Sequence, residues 1–321
     1  DVCEMMLPKL DDGDPGIRAA AVAALANYGD QAMIDEAVPV LQDLLSDAEP
    51  EVRAEAAKAI GGVQEPQFQE HLIRLLYDGD QMVIREAIAA IRRRVGRDGF
   101  NPIYVPTLVS LLQNRRAKHE AREALVAFGE PAIPALVHFM NDPDEPIWVR
   151  RALPKAIAQI GTLAASRALL QGLEHGEDSF HRRSLVVSLA SVEDSGALWS
   201  EAADRIRRQI AREAKSYLDC LAALQGLGLR DKGVLIGGTI RWDGDQVPTL
   251  LDQLLEERAA DCLRNLFGLL SLLYGGDQMW PAYLSLISDK QMLRARALEF
   301  LDNTLAAEIK RDVFAVIDDV A

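Results

Sequence analysis

The sequence predicts an all-α protein, an α-solenoid of two-helix repeats that gives way to an irregular helical half toward its C-terminus. Three observations carry this. An acidic turn followed by an aliphatic–Arg pair and an Ala-rich run recurs along the chain. A second apolar run stands before most of the copies. The composition is 49% hydrophobic with only 6% aromatic residues, so the core must be built from Leu, Ala, Ile and Val, a helical palette.

The recurring phrase reads DGDPGIRAAAVAAL at 12–25, DAEPEVRAEAAKAI at 47–60, DGDQMVIREAIAAI at 78–91 and DEPIWVRRALPKAI at 144–157. Weaker copies are RAKHEAREAL at 116–125 and SFHRRSLVVSL at 179–189. The anchors Ile17, Val52, Val83, Ala117, Val149 and His181 lie 31 to 35 residues apart, the period of a two-helix repeat. The intervening runs AVPVLQDLL (37–45), HLIRLLY (71–77), YVPTLVSLL (104–112) and PAIPALVHFM (131–140) supply the other helix of each pair. Each helix carries an apolar stripe that it cannot bury alone, so neighbouring repeats must stack and share a core. Small Ala56, Ala57 and Ala59 let helices approach, while Leu41, Leu44 and Leu45 fill the space between layers.

Residues 1–192 form the regular array. Beyond them GALWSEAADRIRRQIAREAKSYLDCLAALQGLG (196–228) reads as one long helix or two with a kink. A Gly-rich connection at 226–246 has room for a short hairpin around VLIGGTI. Helices return at 249–274, 278–288 and 290–305, and the closing AAEIKRDVFAVIDDVA reads as a capping helix. The expected division is therefore 1–192 and 193–321, stacked on the same solenoid.

LYDGDQM at 76–82 returns as LYGGDQM at 273–279, with YGDQ at 28–31 and WDGDQ at 242–246. As helix punctuation, Tyr77 ends one helix, Gly79 takes the left-handed conformation, Asp80 caps the next and Gln81 enters its first turn; Gly276 and Asp277 take the same roles later. Calcium is disfavoured, because no Glu completes a twelve-residue loop.

The phrase resembles the HEAT family, in particular the short Ala-rich units also found in bilin lyases. The matching residues are Asp47, Pro50, Val52, Arg53, Ala56, Ala57 and Ile60, with equivalents from Asp144 to Ile157. The C-terminal half, through VRRALPKAIAQIG, FGLLSLLY and RARALEFLDNTLAAEIKRDVFAVIDD, resembles the HEAT-bearing region of a bacterial family of membrane proteins. In that family a module similar to ADP/ATP carriers or major-facilitator transporters precedes the repeats, and a cyclic-nucleotide-binding module can follow. The resemblance implies a cytosolic segment of a larger transport or regulatory protein. A start at Asp1, without Met and inside a helical pattern, agrees with an excised segment.

A formal charge of -14 repels phosphate backbones and argues against nucleic acid as a partner. Cys3, Cys220 and Cys262 have no CxxC spacing, which suggests neither a disulfide framework nor a zinc site and points to a reducing, cytoplasmic setting. The five histidines show no metal spacing, with His138 read as packed. No nucleophile elbow or phosphate loop stands in the chain, so neither a catalytic residue nor a cofactor is expected.

Arg18, Arg53, Arg150 and Arg182 recur at one repeat position, continued by Lys118 and interrupted by Ile84. Each is expected to pair with the turn acid of a neighbouring repeat, among Asp12, Asp47, Asp78 and Asp144; the alternative is an anion-binding groove. IRRRVGR (91–97) and NRRAKHEAR (114–122) are less readily paired; as a basic patch they suit an acidic protein segment or anionic lipid headgroups, against the plainer reading of a solvated helix face. Arg92, Arg93, Arg94, Arg115 and Arg116, with Trp242 in the polar connection, are the candidate surface for a protein partner or for flanking domains of a parent chain. The reading is a non-catalytic scaffold for interaction or interdomain coupling. A free-standing adaptor and a HEAT-fold enzyme of bilin-lyase or DNA-glycosylase type are the alternatives.

Overall fold

The computed structural model describes residues 2–63, 68–175, 179–192, 196–226, 233–236, 239–242 and 249–317. The chain divides into two compact units, 1–160 and 161–321. The change of sequence pattern at 192/193 lies within the second unit.

The first unit opens with α1 (Val2–Met6) and a 3-10 turn at Leu7–Asp11, and then alternates phrase helices with their partners. These are α2 (Pro15–Tyr28) and α3 (Gln31–Ser46), α4 (Pro50–Ile60) and α5 (Gln69–Leu76), and α6 (Gln81–Asp98) and α7 (Val105–Ser110). They are followed by α8 (Lys118–Ala127), α9 (Ile133–Asn141) and α10 (Ile147–Gln159). The phrase helices form a stack in which α2 packs on α4, α4 on α6, α6 on α8 and α8 on α10.

Alanine makes this stack tight: Ala56, Ala57, Ala87, Ala90, Ala121 and Ala124 are fully buried. The approach is closest at Gly61, where an added Cβ would stand 2.8 Å from that of Ala90. Leu41, Leu44, Leu45 and Leu72 fill the layer beside it. Among the anchors Val83, Ala117 and Val149 are fully buried, Val52 is half-buried, and Ile17, in the first repeat, is exposed.

The helix starts follow from short polar side chains. Asp14 Oδ1 accepts from the Gly16 N–H (2.7 Å), Asp80 Oδ1 from Met82 (2.7 Å) and Asn114 Oδ1 from Arg116 (3.0 Å). The Asn114 carbonyl accepts from Ala117 and Lys118 just as that of Asp14 accepts from Ile17 and Arg18, and that of Pro146 from Val149 and Arg150. The Glu49 carbonyl accepts likewise from Val52 and Arg53, so residues 14, 49, 80, 114 and 146 are one position of successive repeats, and Gly16, Glu51, Met82, Arg116 and Trp148 are another.

In LYDGDQM, Tyr77 closes α5, Asp80 caps α6 and Gln81 enters its first turn. The conformation expected of Gly79 is corrected, because positive φ occurs instead at Gly99, Gly129, Gly161 and Gly275. α5 ends through the tightened bonds Tyr77 N–H to Arg74 O and Asp78 N–H to Leu75 O, which need no left-handed residue.

The second unit contains α11 (Leu163–His175), α12 (Ser179–Ala190), α13 (Gly196–Glu201) and α14 (Ala203–Gly226). The long run after 196 is therefore two helices, with the break at Ala202. Strands β1 (Gly233–Ile236) and β2 (Thr239–Trp242) pair antiparallel, with Gly233 opposite Trp242 and Ile236 opposite Thr239. α15 (Leu250–Tyr274), α16 (Gly276–Leu286), α17 (Gln291–Thr304) and α18 (Ala307–Ile317) complete the unit.

A reciprocal capping box starts α15: the Thr249 side chain accepts from Asp252 N–H, and Asp252 accepts from Thr249 N–H. α15 packs against α12, α14 and α16, burying Cys262, Leu263, Leu266, Phe267, Leu269 and Leu270. It ends at Gly275, whose φ is 93°. Gly275, not Gly276, is therefore the terminator in LYGGDQM, and Asp277 stands in the first turn of α16 rather than capping it.

Candidate functional site

The four repeat arginines meet different fates. Arg53 makes a bidentate pair with Asp78 of the next repeat, Nε to Oδ2 and Nη2 to Oδ1, both 2.8 Å. Its Nη1 donates to the Asp47 and Ala48 carbonyls of its own turn. The hydrogen bonds from Arg53 hold the Asp78 carboxyl below its ordinary range. Arg18 donates to the carbonyls of Asp12 (2.8 Å) and Gly13 (3.3 Å) and does not reach Asp47. Asp12 instead pairs with Lys9 at 3.1 Å.

Arg150 donates Nε to the Met140 carbonyl, and Asp144 is exposed. The uniform cross-repeat pairing expected of the series is thus made at Arg53 and Asp78 but not at Arg18 or Arg150. Own-turn carbonyls do not decide this, since Arg18 and Arg53 each donate Nη1 to two of them; only the Arg53 guanidinium also reaches the acid of the next turn. Where Ile84 interrupts the series, Arg85 crosses to the next repeat, with Nε 2.9 Å from Glu120 and Nη2 donating to the Arg116 carbonyl.

Arg182 belongs to a polar cluster inside the second unit. Its Nε lies 2.5 Å from Glu213 Oε1 on α14, and the two side chains are only 3% and 1% exposed. Arg183 and Arg264 share Asp261 Oδ1 at 3.0 and 3.3 Å. His181, at the anchor position, and Asn265 are buried in the same unit. Burial and the neighbouring Glu213 push the Cys262 thiol far above its ordinary range, and burial also raises Cys220. Both therefore stay protonated and behave as small packed groups.

The basic surface separates into three kinds of arginine. Arg94 is buried and donates to the Ile60 and Val63 carbonyls, so it tethers two repeats and is withdrawn from the candidate surface. Arg92 pairs with Glu123 at 2.7 Å and Arg93 with Glu86 at 2.8 Å. Both line an open groove of about 630 Å³ floored by Ala89, Val95, Gly96 and Ala127. Arg115 and Arg116 are exposed, and no described acidic side chain pairs with them. Lys118 beside them is likewise exposed and unpaired among the described residues.

From Ile84 to Glu123 the chain carries nine Lys/Arg against four Asp/Glu, a local net of +5 within a total of -14. A positive island therefore interrupts an acidic protein. Two large apolar side chains occupy the Arg116 position in the flanking repeats: Met82 is 43% exposed and Trp148 63%. Tyr77 is also exposed, its hydroxyl 3.4 Å from Thr107 Oγ1. Trp242, the aromatic expected at the surface, has its side chain outside the described residues, whereas Trp148, to which the sequence pattern draws no attention, is exposed. The available signal was its place, immediately before the buried anchor Val149. His138 is a further correction: it is exposed, with its ring edge-on to Phe139 at 5.7 Å.

Among the described residues no helix is long and apolar enough to cross a membrane, and no group of His, Cys, Asp or Glu is arranged to hold a metal. Stacked helix pairs with a repeated cap, anchor and arginine define a helical-repeat protein. A family model of HEAT repeats matches residues 4–92 and 105–190. With more than half its length matched, the chain belongs to the HEAT-repeat family.

No curated protein matches the chain. Among solved structures, an engineered protein is 23% identical, covering 60% of this chain and 97% of its own with a TM-score of 0.33. The complex of CpcE and CpcF of phycocyanin lyase from Nostoc sp. PCC7120 is 19% identical over 94% of each chain, with a TM-score of 0.34. Kap121p is 15% identical, covering 98% of this chain and 38% of its own, with a TM-score of 0.43.

Proposed function

We propose that the chain is a non-catalytic HEAT-repeat scaffold that mediates protein–protein interaction or couples flanking modules. The observation that carries this is the exposed pair Arg115 and Arg116, with which no described acidic side chain pairs, Arg116 holding the repeat position that Met82 and Trp148 hold in the flanking repeats. Arginine and tryptophan are the residue types that dominate binding energy at protein interfaces. A stack of repeats presents such side chains in register, one set per repeat. Affinity capture from cell extract tests this directly. The unaltered chain captures a discrete partner, and the Arg115→Glu/Arg116→Glu/Trp148→Ala variant loses it. Equal capture by both chains removes the surface from consideration.

The parent we propose is a larger membrane transport or regulatory protein in which this chain is a cytosolic segment, the context implied by the resemblance of residues 149–161, 267–274 and 294–319. An immunoblot of membrane and soluble fractions discriminates. A much larger band in the membrane fraction supports this parent. A soluble band near 35.3 kDa supports a free-standing adaptor instead.

A further inference from the structure

Met82, Arg116 and Trp148 hold the same position in three consecutive repeats of the first unit. The backbone equivalence of their caps establishes this, and α6 packs on α8 as α8 packs on α10. Met82 and Arg85 are three residues apart on one face of α6, and Arg85 Nη2 donates to the Arg116 carbonyl at 3.2 Å, which sets Arg116 beside Met82. The order along this edge is thus apolar, cationic, apolar, with Arg115 and Lys118 adding charge at the centre. Packed helices stand ~8–10 Å apart, so each step along the edge is of that length.

A polyproline II segment has three residues per turn and rises ~3.1 Å per residue, so its side chains i, i+3 and i+6 share a face at intervals of ~9 Å. The two periods coincide. Acidic residues close off both ends of the island: Asp80 beside Met82, and Asp142, Asp144 and Glu145 beside Trp148. A broad anionic surface would meet those acids as well as the arginines, whereas a narrow strand meets the arginines alone.

We infer that this edge is a docking strip for an acidic polypeptide segment in polyproline II conformation, presenting an apolar, an acidic and an apolar side chain three residues apart. The inference rests on the interaction-scaffold reading and names the chemistry of the partner. The acidic side chain pairs with Arg115 and Arg116, and the two apolar ones cover Met82 and Trp148. The guanidiniums supply the charge and the planar donor fork that a carboxylate accepts.

The test uses a dye-labelled peptide, Leu-Pro-Pro-Glu-Pro-Pro-Leu, titrated with the full chain by fluorescence polarisation. The expected result is saturable, salt-sensitive binding that Trp148→Ala or Arg115→Glu/Arg116→Glu weakens by about tenfold or more. The charge-reversed chain then binds the peptide carrying Lys for Glu, and a Leu-Pro-Glu-Pro-Leu control binds poorly. All the substituted side chains are exposed, and unchanged melting temperatures show that the variants fold. Binding that ignores these substitutions, or no saturable binding, overturns the inference. So does Arg115- and Arg116-dependent binding to phosphatidylserine vesicles without peptide binding, which assigns the island to a lipid surface. Partner capture that needs Arg116 and Trp148 without peptide binding overturns the segment pattern and leaves the scaffold reading standing.

Discussion

Arg53 of α4 and Asp78 of the turn before α6 form a two-pronged pair across a repeat boundary, both bonds 2.8 Å long, with side chains 16% and 10% exposed. Asp78 also accepts from the Asp80 N–H at 2.8 Å, so one carboxylate fixes a neighbouring helix and its own turn. Asp78→Asn should lower unfolding free energy by about 2 kcal/mol, the scale of charged hydrogen bonds, measured by urea denaturation at pH 7. The same pair sets an acid limb. The folded state holds the Asp78 carboxyl below its ordinary value of 3.8, so the unfolded chain binds the proton more readily. The contribution is complete above that value and lost as pH falls through the lower, folded one. Asp78→Asn should flatten this limb; an unchanged acid profile would show that the pair adds nothing.

The buried pair Arg182–Glu213 predicts a different pattern. Glu213→Gln removes the carboxylate charge beside a buried guanidinium and should cost about 3–5 kcal/mol, whereas Arg182→Met with Glu213→Leu should recover most of it or exceed the parent. A double-mutant cycle by urea denaturation reads the coupling. A loss under about 1 kcal/mol in the single variant would mean that water reaches the site.

The two Gly-Asp-Gln turns separate by their glycines. At Gly79 an added Cβ meets nothing within 4 Å and φ is not positive, so Gly79→Ala should be neutral or stabilising by up to about 1 kcal/mol. At Gly275, φ is 93° and an added Cβ would stand 2.7 Å from Asp277 Oδ1, so Gly275→Ala should cost more than about 1 kcal/mol. Asp80→Ala should lose about 1 kcal/mol through the cap, and calcium should leave the melting curve unchanged. A calcium-dependent rise in melting temperature would restore the cation-loop reading.

His71 makes the first unit sensitive to mild acid. Burial, reinforced by Arg74, holds its pKa below 6.5. Protons therefore bind the unfolded chain preferentially below 6.5, and the stability present above that pH is lost as it falls toward the folded value. Comparing stability at pH 7.5 and 5.5 for the parent and for His71→Gln isolates this contribution. Identical slopes in the two chains would remove it.

The repeats were legible because their signal is local. A capping acid, an anchor three residues on and an Ala-rich face lie within one helix, and Val83, Ala117 and Val149 occupy the buried positions their spacing implies. The pairing of arginines was not legible, since it depends on how far the neighbouring turn's acid stands from the guanidinium. Arg18 and Arg53 share a sequence position and both meet their own turn's carbonyls, yet only Arg53 also reaches an acid of the next repeat. Gly275 and Gly276 are indistinguishable in sequence, and the end of α15 at Tyr274 decides between them. Trp148 was hidden for the converse reason: a tryptophan in a helical run reads as core, and only the burial of Val149 beside it turns the ring outward.

The central claim, that the edge carrying Met82, Arg116 and Trp148 is where this protein meets its partner, is tested most directly by photo-crosslinking in the source cell. A benzophenone side chain is placed at position 148, at position 82 and, as a control, at exposed Lys58 on α4. The account predicts discrete adducts from positions 148 and 82, lost when Arg115→Glu and Arg116→Glu are added, and none from position 58. Adducts from position 58 equal to those from 148, or none from the edge at all, would contradict it.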